Sequence, residues 1–227
     1  GEFLGSAYFN RKSAIIGRML SFDRTPPLKS VEQRLLGAIA LRKDVVEPAS
    51  NAQRLVNGEG DGLPGLVVDR YDDVLVIQVA TLGMEKLKPM ILGHLIRTLS
   101  PQSIYERSDL PTRREEGLPE FEGHLYGEKV ESVEIQEHGL RFLVEIRGSQ
   151  KTGFYLDLRE MRRLVRSLAE GRRVLNCFCY TGGFSVAALA GGAASVDSVD
   201  SSETAISLAR RNLSLNGFSE NDNRLIV

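Results

Sequence analysis

The 227-residue sequence has no tryptophan, only two cysteines and three histidines, and no excess of charge of either sign. Two cysteines supply neither a four-ligand zinc cage nor a disulfide framework. Cys177 and Cys179 stand in an apolar, strand-like run, where local geometry disfavours a bridge between them. Both are read as small buried core residues. His94, His124 and His138 fall in no ligand spacing, so no metal is expected. With 29 basic against 30 acidic residues, the net charge is -1, and any nucleic-acid surface has to be a local patch. No apolar run reaches the ~18 residues of a membrane span. The first residues lack the basic-then-apolar pattern of a secretory signal. Unpaired cysteines and the missing signal together predict a cytoplasmic location.

Hydrophobic residues at 42% and charged residues at 26% are those of a globular chain, which excludes disorder, collagen and coiled coil. Three stretches differ in pattern. Residues 1–24 open on Phe3, Leu4, Tyr8 and Phe9 and end at the Thr25-Pro26-Pro27 break. Residues 25–147 mix helices and strands without regular alternation, as in a small α+β domain. Here Val31, Leu35, Leu36 and Ile39 predict a helix with Ser30 as its N-cap, and Leu87, Ile91, Leu95 and Leu99 predict a second. Asp72-Asp73 and His138-Gly139 each separate two apolar runs, as hairpin turns do. The turn-rich residues 57–65 imitate a calcium loop but lack its closing glutamate.

From residue 148 strands and helices alternate, the signature of a doubly wound α/β domain. A basic helix over 157–169 is followed by strands over 173–178 and 194–199 and helices over 182–189 and 201–215. A last apolar run starts at Arg224. A parallel unit with one strand barely begun leaves its edges uncovered, so the sequence is expected to be cut at both ends.

Two segments carry chemistry. In the first, the apolar strand Val174 to Phe178 runs through Cys179, Tyr180, Thr181, Gly182 and Gly183 straight into a helix. A glycine-rich turn there brings backbone close to a ligand and presents the helix N-terminus to it. Asp200 closes the next strand, where a carboxylate can accept from both hydroxyls of a ribose. The glycines do not spell a dinucleotide fingerprint and no phosphate-loop lysine is present, so a nucleoside without phosphate fits better. S-adenosylmethionine is the common one. The second segment, Gln150-Lys151-Thr152-Gly153-Phe154-Tyr155-Leu156-Asp157, precedes the basic helix.

With these motifs the sequence resembles the S-adenosylmethionine-dependent 23S ribosomal RNA cytosine-5 methyltransferases of the large-subunit type that carry an N-terminal PUA domain. The resemblance runs over residues 3–23, 51–71, 104–118, 150–159 and 174–217. It implies an α/β, Rossmann-like class I methyltransferase domain over 148–227, present as its N-terminal half. Residues 25–147 would be the middle domain and residues 1–24 the end of a PUA part. It further implies that Gln150, Lys151, Thr152, Gly153 and Phe154 close over the cofactor. Asn176, Phe178, Tyr180, Thr181, Gly182 and Gly183 would line its methionine part, Asp200 would hold the ribose, and Ser201 would lie beside the adenine. The family's base-orienting D-P-P motif and its cysteine nucleophile would lie beyond Val227, so this chain alone is expected to transfer no methyl group.

The partner implied is large-subunit ribosomal RNA, with a homodimer left open and no membrane or metal partner. Arg11, Lys12 and Arg18, Arg107, Arg113 and Arg114, and the arginines from Arg159 to Arg166 are the candidate RNA cations. Two other readings remain: a non-catalytic RNA- or cofactor-binding module, and a methyltransferase acting on a guanine nitrogen or a small molecule.

Overall fold

The structure, a computed structural model, describes residues 2–45, 49–148, 152–219 and 222–227. It divides into two compact units, Gly1–Glu47 with Gln53–Glu131 and Ile146–Gly153, and Pro48–Ala52 with Ser132–Glu145 and Phe154–Val227. The first 24 residues cluster with the first unit, and the hairpin before residue 147 clusters with the second. The sequence pattern places divisions at 24 and 147. No helix among the described residues is long and apolar enough to cross a membrane.

In the first unit, β1 (Ser6–Phe9) and β2 (Gly17–Ser21) form an antiparallel pair. Helix α1 (Pro27–Val45) starts on the second proline, whose fixed φ suits a first helical position. Ser30 therefore sits inside the first turn rather than capping it, and its hydroxyl donates to the Leu20 carbonyl. Strands β3 (Ala52–Asn57), β4 (Leu66–Tyr71) and β5 (Val74–Val79) lead to α2 (Leu82–Leu99), which is capped by Thr81. Then follow β6 (Ser103–Ser108), the single turn α3 (Thr112–Glu115) and β7 (Phe121–Gly127). The five-stranded sheet runs β3-β4-β5-β6-β7, with β4 and β7 antiparallel to β5 and β6 respectively. The β5–α2–β6 crossover joins parallel strands, which a tight turn cannot do. Val31, Leu35 and Ile39 of α1 and Met84, Ile91 and Leu95 of α2 bury against Leu66, Val68, Leu75, Ile77 and Ile104 of the sheet.

The second unit begins with the hairpin β8 (Ser132–Glu137) and β9 (Leu140–Glu145). Its turn has positive φ at His138 and Gly139, the geometry that matches strand twist. Then come α4 (Arg159–Leu168), β10 (Arg173–Cys177), α5 (Gly183–Ala190), β11 (Ser195–Val199), α6 (Glu203–Leu215) and β12 (Asn223–Ile226). The three strands pair in parallel in the order β10-β11-β12. Helix α6 stops in a Schellman arrangement: Gly217 (φ 78°) donates to Ser214 and Phe218 donates to Leu213.

Candidate functional site

The turn between β10 and α5 is held in an unfavourable shape. Phe178 (φ 58°), Tyr180 (φ 48°) and Gly182 (φ 77°) all have left-handed backbone. For Phe and Tyr this costs of order 1–3 kcal/mol each, and such strain collects at ligand sites. Asp200 keeps the turn in place. Its Oδ2 accepts from the Tyr180 N–H at 2.9 Å, and its Oδ1 accepts from the Ser202 N–H at 3.0 Å. Cys179 N–H donates to the Val199 carbonyl at 3.0 Å, tying the turn to the end of β11.

Gly182 is favoured by packing as well as by φ. A Cβ there would meet the Ala209 Cβ of α6 at 3.0 Å, and one on Gly183 would meet the Arg162 Cδ at 3.2 Å. The two glycines thus let α5 approach neighbouring helices, not only a ligand. From Gly183 onward the first N–H groups of α5 have no intrahelical acceptor, because each would need a carbonyl four residues earlier. The Thr181 side chain is buried, and its hydroxyl has no partner among the described residues.

The other expected site residues separate by what they touch. Asn176 turns its amide away into a buried chain: it donates to Ser185 Oγ at 2.8 Å, Ser185 pairs with Ser198 at 2.6 Å, and Ser198 donates to Asn223 at 2.9 Å. Phe178 is 91% exposed, and Ser201 is exposed beside Asp200. Phe154 lies in the core, its ring 5.2 Å from Phe142 and under the Arg162 guanidinium. Thr152 belongs to the first unit, where its buried hydroxyl donates to Asp69 Oδ2 at 2.6 Å and pairs with Tyr71 at 2.9 Å. Gly153 has φ 134°, open to glycine alone. Gln150 and Lys151 lie outside the described residues.

The two cysteines differ. Cys179 is buried, but Cys177 is exposed on the edge strand β10, against the expectation that both are core residues. Burial first, and then the Asp200 charge, push the Cys179 thiol up to about 11.

Several expected RNA cations are internal. Arg162 is bidentate to the buried Glu137 at 2.7 and 2.8 Å, and Arg159 reaches the same carboxylate at 3.3 Å. Arg113 is 2% exposed and donates to Glu85 at 2.9 Å and to the Pro119 carbonyl at 2.7 Å. Arg107 is buried, 3.6 Å from Asp109. Arg18 pairs with Glu116 at 2.8 Å. Arg114 remains exposed.

Sequence reasoning gave no role to Tyr155 of the second segment, whose ring meets Tyr180 edge-on at 5.5 Å, and missed Asn212. The fully buried Asn212 donates to the Thr181 carbonyl at 2.9 Å and accepts from the Leu143 N–H at 2.7 Å. One signal pointed to it: an amide between Leu208, Ala209 and Leu213, on the apolar face of α6. Among the described residues no group of three or more His, Cys, Asp or Glu could hold a metal ion.

Residues 114–224 match the family model of S-adenosylmethionine-dependent methyltransferases. The chain is 44% identical, over 100% of its own length, to "Ribosomal RNA large subunit methyltransferase I" of Aeromonas hydrophila, and covers 58% of that protein. It therefore spans less than two thirds of the curated relative. Two solved structures share the fold at 26% identity. One is a candidate S-adenosylmethionine-dependent methyltransferase from Streptococcus mutans (TM-score 0.85, 99% of this chain and 59% of that one). The other is a candidate methyltransferase complexed with SAH (TM-score 0.86, 99% and 58%). The parallel sheet with its flanking helices is thus a Rossmann-like methyltransferase fold.

Proposed function

We propose, on the premise that residues 114–224 are a segment of the S-adenosylmethionine-dependent methyltransferase family, that the protein methylates large-subunit ribosomal RNA at carbon-5 of a cytosine. The observation that carries this reading is the strained turn from Phe178 to Gly182, braced by Asp200 and opening directly into α5. The donor set suits an adenosyl amino acid. The first N–H groups of α5 would hold its carboxylate, and Asp200, whose oxygens each keep a lone pair after their backbone bonds, would accept from the ribose diol. The buried Thr181 hydroxyl offers a further polar contact. When bound, S-adenosylmethionine supplies an electrophilic methyl on a sulfonium.

Support for an RNA acceptor comes from the similarity to a ribosomal RNA large subunit methyltransferase; support for carbon-5 comes from the sequence resemblance. Carbon-5 of cytosine becomes nucleophilic only after a thiolate adds at carbon-6. Cys179, held to about 11, stays a thiol at neutral pH and is unsuited to that step. Cys177 lies on β10, outside the turn. The thiolate is therefore assigned to neither.

The test is to incubate the full-length protein with methyl-labelled S-adenosylmethionine and unmodified 23S rRNA, then digest the RNA to nucleosides. Label in 5-methylcytidine is expected. Label in a methylguanosine, or none in RNA, overturns the proposal.

A further inference from the structure

Gly58, Glu59 and Gly65 of the turn-rich residues 57–65, which the methyltransferase reading leaves without a role, line a cavity of about 410 Å³ in the first unit. That volume is in the range of small-molecule sites, well above what a few waters need. Its floor is the sheet, through Val67 of β4 and Ala80 just after β5, with Ile15 as an apolar wall. The walls are anchored rather than loose. Tyr8 of β1 donates to the Pro64 carbonyl at 2.8 Å, and Glu116 accepts from Asn10 and Arg18, both at 2.8 Å.

Into this space face Gln78, Thr112 and Glu115, whose side chains make no hydrogen bond to another described residue. Glu59 and the Arg18-paired Glu116 add two further carboxylates. Carboxylates only accept, and the amide both donates and accepts. Arg18, paired with Glu116, is a lining cation, and Lys12 and Arg114 are chain neighbours of the lining residues Ser13 and Glu115. Lys12 packs along Gly117, and the exposed Arg114 pairs with Glu120. A pocket with three lining glutamates, an apolar floor and the Arg18 cation in its wall suits a flat, neutral ring that carries N–H donors and is flanked by phosphates.

The geometry points to this cavity as a pocket for one unpaired RNA base that presents an exocyclic amino group. It is a recognition subsite apart from the Asp200 turn, and it rests on the RNA reading above. Unstacked bases held by their hydrogen-bonding edges are the usual currency of sequence-selective RNA recognition. Glutamate accepting from cytosine N4 and glutamine bidentate to adenine are known pairings. Uracil, which has no amino group, is the base this pocket serves worst.

The experiment titrates fluorescently labelled oligocytidylate, oligoadenylate and oligouridylate into the protein, the Gln78→Met variant and the Glu115→Gln variant, with thermal melting to confirm folding. The expected result is tighter binding of one or both amino-bearing oligomers than of oligouridylate. Either substitution should cut that preference by roughly fivefold or more. A preference unchanged in both folded variants overturns the pocket and leaves the RNA reading standing. Equal affinity for all three oligomers does the same. Absence of binding by the unmodified protein to any oligomer and to 23S rRNA overturns both.

Discussion

Cys177 and Cys179 sit two positions apart in one apolar run, yet they meet different surroundings. Cys179 is buried, with the Asp200 carboxylate raising its thiol further, to about 11, whereas Cys177 is exposed. A raised thiol pKa means the neutral form prevails until the pH approaches that value, and only the thiolate alkylates. At about pH 8 iodoacetamide should modify Cys177 and spare Cys179, with Cys179 reacting only as the pH climbs toward its raised value. Mass spectrometry showing equal rates at both would contradict that environment. The sequence pattern did not separate them, because strand alternation tells which face a side chain takes and not whether that face is covered. The positions of Gly182 in the turn and of Asp200 at the end of the next strand were legible for the opposite reason: both follow from backbone geometry. The role of Asn176 was not legible, since its bond to Ser185 depends on how α5 packs behind the sheet.

At the scale of elements, β6 shows how polarity hides a strand. Every residue from Ser103 to Ser108 is buried, yet four of the six are polar. Glu106 takes hydrogen bonds from Lys88 at 2.9 Å and Ser108 at 2.7 Å, so its burial is compensated by partners that periodicity cannot reveal. Helix α4 presents the same problem. Its arginines read as a basic face, but Arg162 and Glu137 form a buried bidentate pair. Arg162→Met should cost about 3–5 kcal/mol in urea unfolding, because Glu137 keeps a buried charge with only the longer Arg159 contact. Replacing both, as Arg162→Met with Glu137→Leu, should recover most of that loss. A single variant as stable as the parent would show that the pair contributes nothing.

Glu116 ties β1 and β2 to the start of α2 through Asn10, Arg18 and the Leu82 N–H. Burial works against its ionisation, but bonds from Ser13, Asn10 and Leu82 and the Arg18 charge outweigh it and hold the carboxyl below the usual glutamate range. A depressed pKa gives stability that is present above the unfolded value of about 4.3 and is lost as pH falls through the folded one. The melting temperature should therefore drop as pH is lowered below about 4, and Glu116→Gln should flatten that drop. An identical pH slope in the variant would remove Glu116 as its source.

For the molecule as a whole, the change from irregular to alternating elements marked the Rossmann-like part in the sequence, because hydrophobic period and turn chemistry agree there. The compact units were harder to read. The β8–β9 hairpin belongs to the second unit, to which Asn212 and Asn216 of α6 and its C-cap bind at Leu143 and Arg141. Such long-range side-chain bonds leave no local pattern. The central claim, that the Asp200-braced turn binds an adenosyl amino acid, is tested most directly by calorimetric titration of S-adenosylhomocysteine, with NAD and ATP as controls. The account predicts saturable binding of S-adenosylhomocysteine alone, weakened by about 1.5–3 kcal/mol in a folded Asp200→Ala variant through loss of a charge-assisted acceptor. Unchanged affinity in that variant, or equal binding of NAD or ATP, would contradict it.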